Sequence, residues 1–159
     1  MRKERASKST KNFMEENRVF LDASVIIAAL LSPGGGSFYV ISSLKNEYAF
    51  VINEYVFEEV NRVLETKFHY SDLKNYFLML LGSSGVSILS NPPRQSLNRL
   101  KGILSEEDRP ILLGAVDAGC SFLLTLDDEF FNPPVVSFAQ RHKLRILKPG
   151  DFINLYREG

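Results

Sequence analysis

Four carboxylates that are far apart in the chain have sequence settings in which they could bind one metal ion together. They are Asp22, Glu59, Asp108 and Asp127. In one pocket they would repel each other, at a cost on the order of 3 kcal/mol for a pair about 5 Å apart at an effective dielectric of about 20. A hard cation would offset this repulsion, and all-oxygen ligands favour Mg²⁺ or Mn²⁺. His69 and His142 fit no zinc-ligand spacing.

The elements that must position these acids alternate between short apolar runs and segments of helical period. Strands are predicted over about Arg18–Asp22, Tyr48–Ile52, Val86–Leu89, Phe122–Leu126 and Arg145–Leu147. Helices are predicted over about Ser24–Leu31, Ser37–Lys45, Glu54–Thr66, Ser71–Leu81, Gln95–Lys101, Glu107–Ala118, Val135–Arg141 and Asp151–Tyr156. This repetition predicts an α/β fold, a three-layer sandwich in which a central parallel sheet of about five strands has helices on both faces. The strands are nearly continuous apolar runs, which is typical of strands covered on both faces.

Two of the acids, Asp22 and Asp127, end predicted strands. In open α/β sheets, binding sites form outside the carboxyl ends of strands, where the strand order reverses. If these two strands flank that point, the two carboxylates converge. The alternative for each acid is a cap of the following helix. For Asp22, Ser24 could supply that cap instead, and for Asp127 the neighbouring Asp128 and Glu129 leave the choice open.

Helical geometry distinguishes Glu59 from its neighbour Glu58. The apolar residues of this helix form a stripe centred near Val60. At about 100° per residue, Glu58 lies roughly 160° from that centre and faces solvent, whereas Glu59 lies roughly 100° away at the margin of the buried face. That margin is where a ligand of a buried site would lie. The alternative is a pair of Glu59 with Arg62, one turn later.

Asp108 precedes a helix whose Pro110 fits only in a first turn. The alternative to a site role is a capping carboxylate, together with Ser105. Asp117 follows nine residues later, about 180° around the helix, and therefore points away from Asp108.

Together, four motifs resemble those of the PIN-domain family of metal-dependent ribonucleases, over about Arg18 to Leu155. The motifs are a strand-ending Asp22 with Ser24 two residues later, E-V-x-R-V-L at Glu59–Leu64, D-x-x-I-L-x-x-A at Asp108–Ala115 and T-x-D at Thr125–Asp127. The turn at Leu31–Gly35 resembles the VapC-like toxin components of toxin–antitoxin pairs. This resemblance implies a PIN-like nuclease domain over residues 18–159.

The resemblance also implies a mechanism and a set of partners. Asp22 and Asp127 would hold the main metal ion, Glu59 and Asp108 would complete its shell, and a water on the metal would attack an RNA phosphodiester. Possible accessory residues are Ser24, toward metal-bound water or phosphate, Glu129, as a further acid, and Arg62 and Arg109, toward substrate phosphates. Ser24 fits a helix-capping role equally well, and a solvated helix face is the alternative for each arginine. The implied partners are an RNA substrate, a small antitoxin protein and a second copy of the chain.

Composition limits the remaining function classes. Residues 1–12 hold five basic residues against one acid, which predicts a disordered basic leader over residues 1–17 and leaves the remainder mildly acidic. The acidic remainder argues against a broad nucleic-acid-coating surface. A single cysteine, Cys120, suits a reducing cytoplasm. No apolar run reaches the roughly 20 residues of a membrane span.

Two other functions compete with the nuclease hypothesis. One is a PIN-like module that no longer cleaves and serves for binding or as a scaffold, although four intact acids disfavour it. The other is a receiver-type domain, which would need a phosphoacceptor aspartate at the third strand. That strand ends in Leu89-Ser90-Asn91, so the receiver hypothesis fails.

Overall fold

The computed structural model describes residues 17–69 and 71–159, so the predicted basic leader, apart from Asn17, lies outside the described residues. One parallel sheet has the order β3-β2-β1-β4-β5. Its strands are β1 (Arg18–Leu21), β2 (Ala49–Asn53), β3 (Ser87–Leu89), β4 (Phe122–Leu124) and β5 (Arg145–Leu147). The chain builds the sheet outward from β1 on one side and then returns to add β4 on the other. The strand order therefore reverses between β1 and β4.

Helices surround this sheet, which confirms the predicted three-layer α/β sandwich. They are α1 (Ala23–Leu31), α2 (Gly36–Ser43), α3 (Glu54–Lys67), α4 (Leu73–Ser83), α5 (Arg109–Asp117), α6 (Pro133–Arg141) and α7 (Pro149–Glu158). Three of these helices, α5, α6 and α7, have proline in the first turn, where its missing N–H costs no helical hydrogen bond. Within the described residues no single helix is long and apolar enough to cross a membrane. Helices α1 and α2, bent by 100° to each other, are together long and apolar enough for a span, by length and composition only.

The core lies around the three central strands. Val19, Phe20 and Leu21 of β1 are fully buried. The prediction that the strands are covered on both faces is wrong for the edges of the sheet. All three residues of β3 are exposed and those of β5 are exposed or half-buried. Edge strands lie at the margin of the helix layers, so apolar sequence alone does not bury them.

Several element boundaries differ from the predicted ones. Strand β4 ends at Leu124 rather than Leu126, and α5 begins at Arg109 rather than Glu107. The short helix predicted near Gln95–Lys101 is a 3-10 helix over Arg94–Leu100, and an unpredicted 3-10 helix covers Asp128–Phe131. The last predicted turn is a full helix, α7.

Cys120 is buried, and burial raises the pKa of its thiol to about 12.

Candidate active site

Asp22 directly follows β1 and is 5% exposed. Its backbone N–H donates to the carbonyl of Leu124 at 3.0 Å, which extends the pairing of β1 with β4 to this residue. Its side chain makes no capping hydrogen bond to α1. Instead, Oδ2 accepts hydrogen bonds from Ser24 Oγ at 2.9 Å and Thr125 Oγ1 at 2.7 Å. The capping alternative is therefore wrong for Asp22, because its carboxylate is bound by hydroxyls from two elements.

These two hydroxyls join the ends of β1 and β4. Ser24 Oγ accepts from the backbone N–H of Leu126 at 3.1 Å, and Thr125 Oγ1 accepts from that of Asp127 at 3.0 Å. Ser24 thus holds Asp22 and the chain after β4 rather than capping α1. The T-x-D motif contains Thr125, but sequence reasoning assigned it no contact. Its role depends on which strand lies beside β1.

Asp127 follows β4 and is half-buried. Its Oδ1 accepts from the backbone N–H of Glu129 at 3.0 Å, so Asp127 does cap the short 3-10 helix that follows. Of its neighbours, Asp128 is exposed and pairs with Lys148 at 2.9 Å, and Glu129 is exposed. The capping alternative is thus confirmed for Asp127, and its charge also raises the pKa of Asp22.

The helical phase predicted for α3 is confirmed, since Glu58 is exposed and Glu59 is half-buried. No ion pair within 4.0 Å joins Glu59 to Arg62, both of them described residues, although the charge of Arg62 opposes the rise in the pKa of Glu59. One carboxylate oxygen of Glu59, Oε2, is buried and has no hydrogen-bond partner. A buried acceptor without a partner is costly, and it is the kind of atom that a cation would satisfy.

Asp108 occupies the residue before α5 but makes no side-chain capping bond. It is half-buried and accepts a hydrogen bond from Ser105 Oγ at 2.9 Å. The predicted partnership with Ser105 is confirmed, whereas the capping role is wrong because the backbone of Asp108 already has helical dihedral angles. A capping residue has extended dihedral angles instead.

The carboxylates act on one another electrostatically. Burial raises the pKa of Asp22, the hydrogen bonds from Thr125 and Ser24 oppose this, and the charge of Asp127 adds to it. Burial also raises the pKa of Glu59, followed by the charge of Asp22. The pKa of Asp108 rises to about 6, first by burial and then by the charges of Asp127, Asp22 and Glu129, against the hydrogen bond from Ser105. The charges of Asp22, Asp108 and Asp127 thus add to burial in raising the pKa of other acids of this set, which shows that the four carboxylates lie in one region.

Asn53 holds together the two helices that carry Glu59 and Asp108. It ends β2 and is 1% exposed. Its Oδ1 accepts from the N–H of Val56 at 3.1 Å and caps α3, while its Nδ2 donates to the carbonyl of Pro110 at 3.0 Å in α5. Sequence reasoning missed this residue. An asparagine directly before a helix was the available signal for the cap, but the bond to α5 is visible only in the fold.

The donor set fits a hard divalent cation in its chemistry. It consists of oxygens, it holds an unpartnered buried carboxylate oxygen, and burial and neighbouring acidic charges raise the pKa of Asp22, Glu59 and Asp108. Among residues 17–69 and 71–159, no three Asp, Glu, His or Cys side chains form a group arranged to hold a metal ion. The four acids therefore share a region without forming a complete coordination shell.

An acidic cavity of about 390 Å³ opens beside this cluster. It is lined by Tyr55, Glu58, Glu59, Arg62 and Glu107. Arg62 is exposed, and Arg109, which directly follows Asp108, is half-buried. The arginines predicted to contact phosphate therefore lie near the acids without neutralising them through an ion pair within the described part of the chain.

Comparison with known proteins identifies the family. The sequence model of the PIN domain matches residues 18–129. No curated protein matches the sequence. The fold is similar to a chain in the crystal structure of VapBC2 from Rickettsia felis bound to a DNA fragment from their promoter, with a TM-score of 0.62 and 14% identity over 82% of this chain and 98% of that one. It is also similar to PAE2754 from Pyrobaculum aerophilum, with a TM-score of 0.57 and 18% identity over 80% and 97%. The family match covers all four acidic motifs, and this chain belongs to the PIN domain family.

Proposed function

We propose that this chain is an endoribonuclease that hydrolyses RNA phosphodiester bonds with a bound Mg²⁺ or Mn²⁺ ion. The observation that carries the proposal is the buried and unpartnered Oε2 of Glu59, on a carboxylate whose pKa is raised by burial and by the charges of Asp22 and Asp108. PIN domain proteins are generally nucleases that use a divalent metal. Perturbed carboxylates in a cleft are candidates for a functional site.

Each acid has a role in this proposal. Asp22 and Asp127 hold the metal ion at the ends of β1 and β4, and Glu59 and Asp108 complete its surroundings from α3 and α5. When bound, the ion supplies Lewis-acid activation of water and stabilises charge on the phosphate oxygens. The hydrogen bonds from Ser24 and Thr125 fix Oδ2 of Asp22 and do not use Oδ1. Glu129 stands next to this group as a further acid.

The substrate phosphates need cations near the acids. Arg62 lines the acidic cavity, and Arg109 follows Asp108 directly. Arginine suits this task because its planar group forms two parallel hydrogen bonds to a phosphate. Both side chains are proposed as phosphate contacts.

We further infer that the protein is the toxin of a toxin–antitoxin pair. The inference is supported by the fold shared with the VapBC2 structure, which was determined with promoter DNA, and by the resemblance of the turn at Leu31–Gly35. A small antitoxin would then inhibit the nuclease. A homodimer and a location in the cytoplasm, where Cys120 stays reduced, complete this proposal.

Cleavage of RNA with Mg²⁺ or Mn²⁺ tests the central claim. We expect cleavage by the unaltered protein and a loss of at least about 100-fold in Asp22→Asn and Asp127→Asn, because neutral amides bind divalent ions poorly. Asp128→Asn is the matched control, since Asp128 is exposed and pairs with Lys148 instead. Absence of metal-dependent cleavage, or equal cleavage by all four proteins, would contradict the proposal.

The second candidate function is a PIN-like binding module that does not cleave. One observation favours it, namely that no three acids within the described residues form a group arranged to hold a metal ion. This alternative predicts RNA binding without hydrolysis and no calorimetric signal when Mn²⁺ is titrated into the protein. The nuclease proposal predicts Mn²⁺ binding that Asp127→Asn weakens.

A further inference from the structure

A second cavity, of about 530 Å³, adjoins the acidic one. Tyr55 lines both cavities, and the second also contains Arg94, Asn98 and Arg109. Its volume falls within the range of about 300–1,000 Å³ that is usual for small-ligand sites. Of the residues that line this cavity, only Arg109 has a role in the mechanism proposed above, as a phosphate contact.

The two cavities have opposite charge. Three glutamates and one arginine line the acidic cavity, whereas two arginines and one glutamate, Glu106, line the second. The carboxylates repel a polyanion. A polyanion that reaches them therefore needs positive charge along its path or beside its bound position. The second cavity supplies such charge directly beside Asp108.

The arginines of the second cavity are available to a ligand. Arg94 is exposed and makes no ion pair with a described residue. Arg109 is half-buried, and its Nε donates to the carbonyl of Leu104 at 2.9 Å, which anchors the guanidinium at the cavity wall. One cation is thus exposed and the other is anchored next to Asp108.

Tyr55 stands between these two charged regions. Its backbone N–H donates to Asn91 Oδ1 at 2.7 Å, which ties the start of α3 to the chain beyond β3. Burial raises the pKa of its phenol, the charges of Glu59, Glu107 and Asp108 add to this effect, and the charge of Arg62 opposes it. Tyr55 is half-buried and lines both cavities, and an aromatic ring of this kind is a residue type on which a nucleobase can stack.

We propose that the second cavity binds one nucleotide of single-stranded RNA next to the scissile phosphate. Its base stacks on Tyr55, and its phosphates contact Arg94 and Arg109. Stacking on an aromatic side chain requires an unpaired base, which favours a single strand over a duplex. Asn98 supplies amide groups for the edge of the base. This subsite rests on the proposed ribonuclease function, because it places the neighbouring phosphate at the four carboxylates.

Binding can be measured separately from cleavage. We would introduce each variant into the Asp127→Asn protein and follow fluorescence anisotropy of a short end-labelled single-stranded RNA over a range of salt concentrations. Tyr55→Leu is expected to weaken binding about tenfold or more, whereas Tyr55→Phe keeps the ring and stays within about twofold. Arg94→Gln is expected to reduce the slope of log affinity against log salt by about 0.7, the value for one phosphate contact on a single strand.

Arg145→Gln is the matched control, because Arg145 is also exposed but begins β5, which is the edge strand opposite β3. The subsite is overturned if Tyr55→Leu and Arg94→Gln bind RNA as Arg145→Gln does, or if the parent Asp127→Asn protein binds no RNA. Cleavage by the protein with Asp127 intact is measured in parallel. Normal cleavage with unchanged binding in both variants removes the subsite alone. Tyrosine-dependent binding without any cleavage keeps the subsite and removes the proposed hydrolysis.

Discussion

Thr125 Oγ1 donates a hydrogen bond of 2.7 Å to Oδ2 of Asp22, from the end of one central strand to the end of its neighbour. The same hydroxyl accepts from the backbone N–H of Asp127 at 3.0 Å. One fully buried side chain thereby links the two acids that are proposed to hold the metal. Thr125 is a positioning residue, since it acts through both of them.

Thr125→Val should weaken metal binding as well as stability. The isosteric change removes the hydrogen bond that opposes the raised pKa of Asp22, so protons compete better with a cation for that carboxylate. We expect Mn²⁺ affinity to fall about tenfold or more, and the free energy of unfolding to fall by about 1–3 kcal/mol because the N–H of Asp127 loses its partner and Oδ2 of Asp22 keeps only the hydrogen bond from Ser24. Calorimetric titration and urea unfolding measure the two effects.

Thr125→Ser separates the hydroxyl from the methyl group. Serine keeps the hydroxyl and loses one buried methyl, worth about 0.8 kcal/mol. This variant should therefore lose stability but keep its Mn²⁺ affinity. An equal loss of affinity in both variants would show that packing at residue 125, and not its hydrogen bonds, holds the site.

Gly114→Ala is expected to disturb the contact between α3 and α5. A Cβ at this position would lie 2.5 Å from Asn53 Nδ2 and 3.3 Å from the ring of Phe20. Because both neighbours are buried, the clash should outweigh the helix-propensity gain of about 1 kcal/mol and lower the free energy of unfolding by about 1–3 kcal/mol. Cleavage should also fall, because the hydrogen bonds of Asn53 join the helix that carries Glu59 to the helix that follows Asp108.

Gly82→Ala is the opposite case within the same chain. Gly82 is exposed in α4, and a Cβ there would meet nothing within 4 Å. Helix propensity then acts alone, and the variant should be more stable by about 0.5–1 kcal/mol with unchanged cleavage. If thermal unfolding ranks the two alanine variants alike, the proposed close approach at Gly114 is wrong.

Much of the site follows from local patterns. The ends of parallel strands lie at one edge of a sheet, which predicts that the residues after β1 and β4 are neighbours, as the hydrogen bonds of Thr125 to Asp22 and Asp127 show, and helical phase selects Glu59 over Glu58. What could not be predicted depends on contacts between distant elements. The bond from Asn53 to Pro110, the hydroxyls on Asp22 and the place of Tyr55 between two cavities all arise from how α3, α5 and β4 pack. The exposure of β3 likewise follows from its place at the edge of the sheet. An apolar run in the sequence does not give that place.

Glu59 and Glu58 offer a matched test of the site. Glu59→Gln removes a charge from a half-buried carboxylate whose Oε2 has no partner, so it should not destabilise the metal-free protein at neutral pH. It should nevertheless reduce cleavage by about 100-fold, as expected for the loss of a metal-site carboxylate. Glu58→Gln alters an exposed neighbour and should change neither quantity. Full cleavage by Glu59→Gln would remove this residue from the proposed site.

Asp108 should make the stability of the metal-free protein depend on pH. Its pKa is about 6 in the folded protein, above the value of about 4 for an unfolded chain, so the folded state binds the proton more tightly. The stabilising effect is therefore complete below about pH 4 and is lost as the pH rises through about 6. Asp108→Asn should raise the melting temperature at pH 7 but not at pH 4, because it removes the buried charge. The exposed Glu106→Gln, two residues earlier, should leave the profile unchanged. Calorimetric melting in EDTA between pH 4 and 8 measures these profiles. If Asp108→Asn melts at a lower temperature than the unaltered protein at pH 7, the carboxylate of Asp108 stabilises the fold and the prediction is wrong.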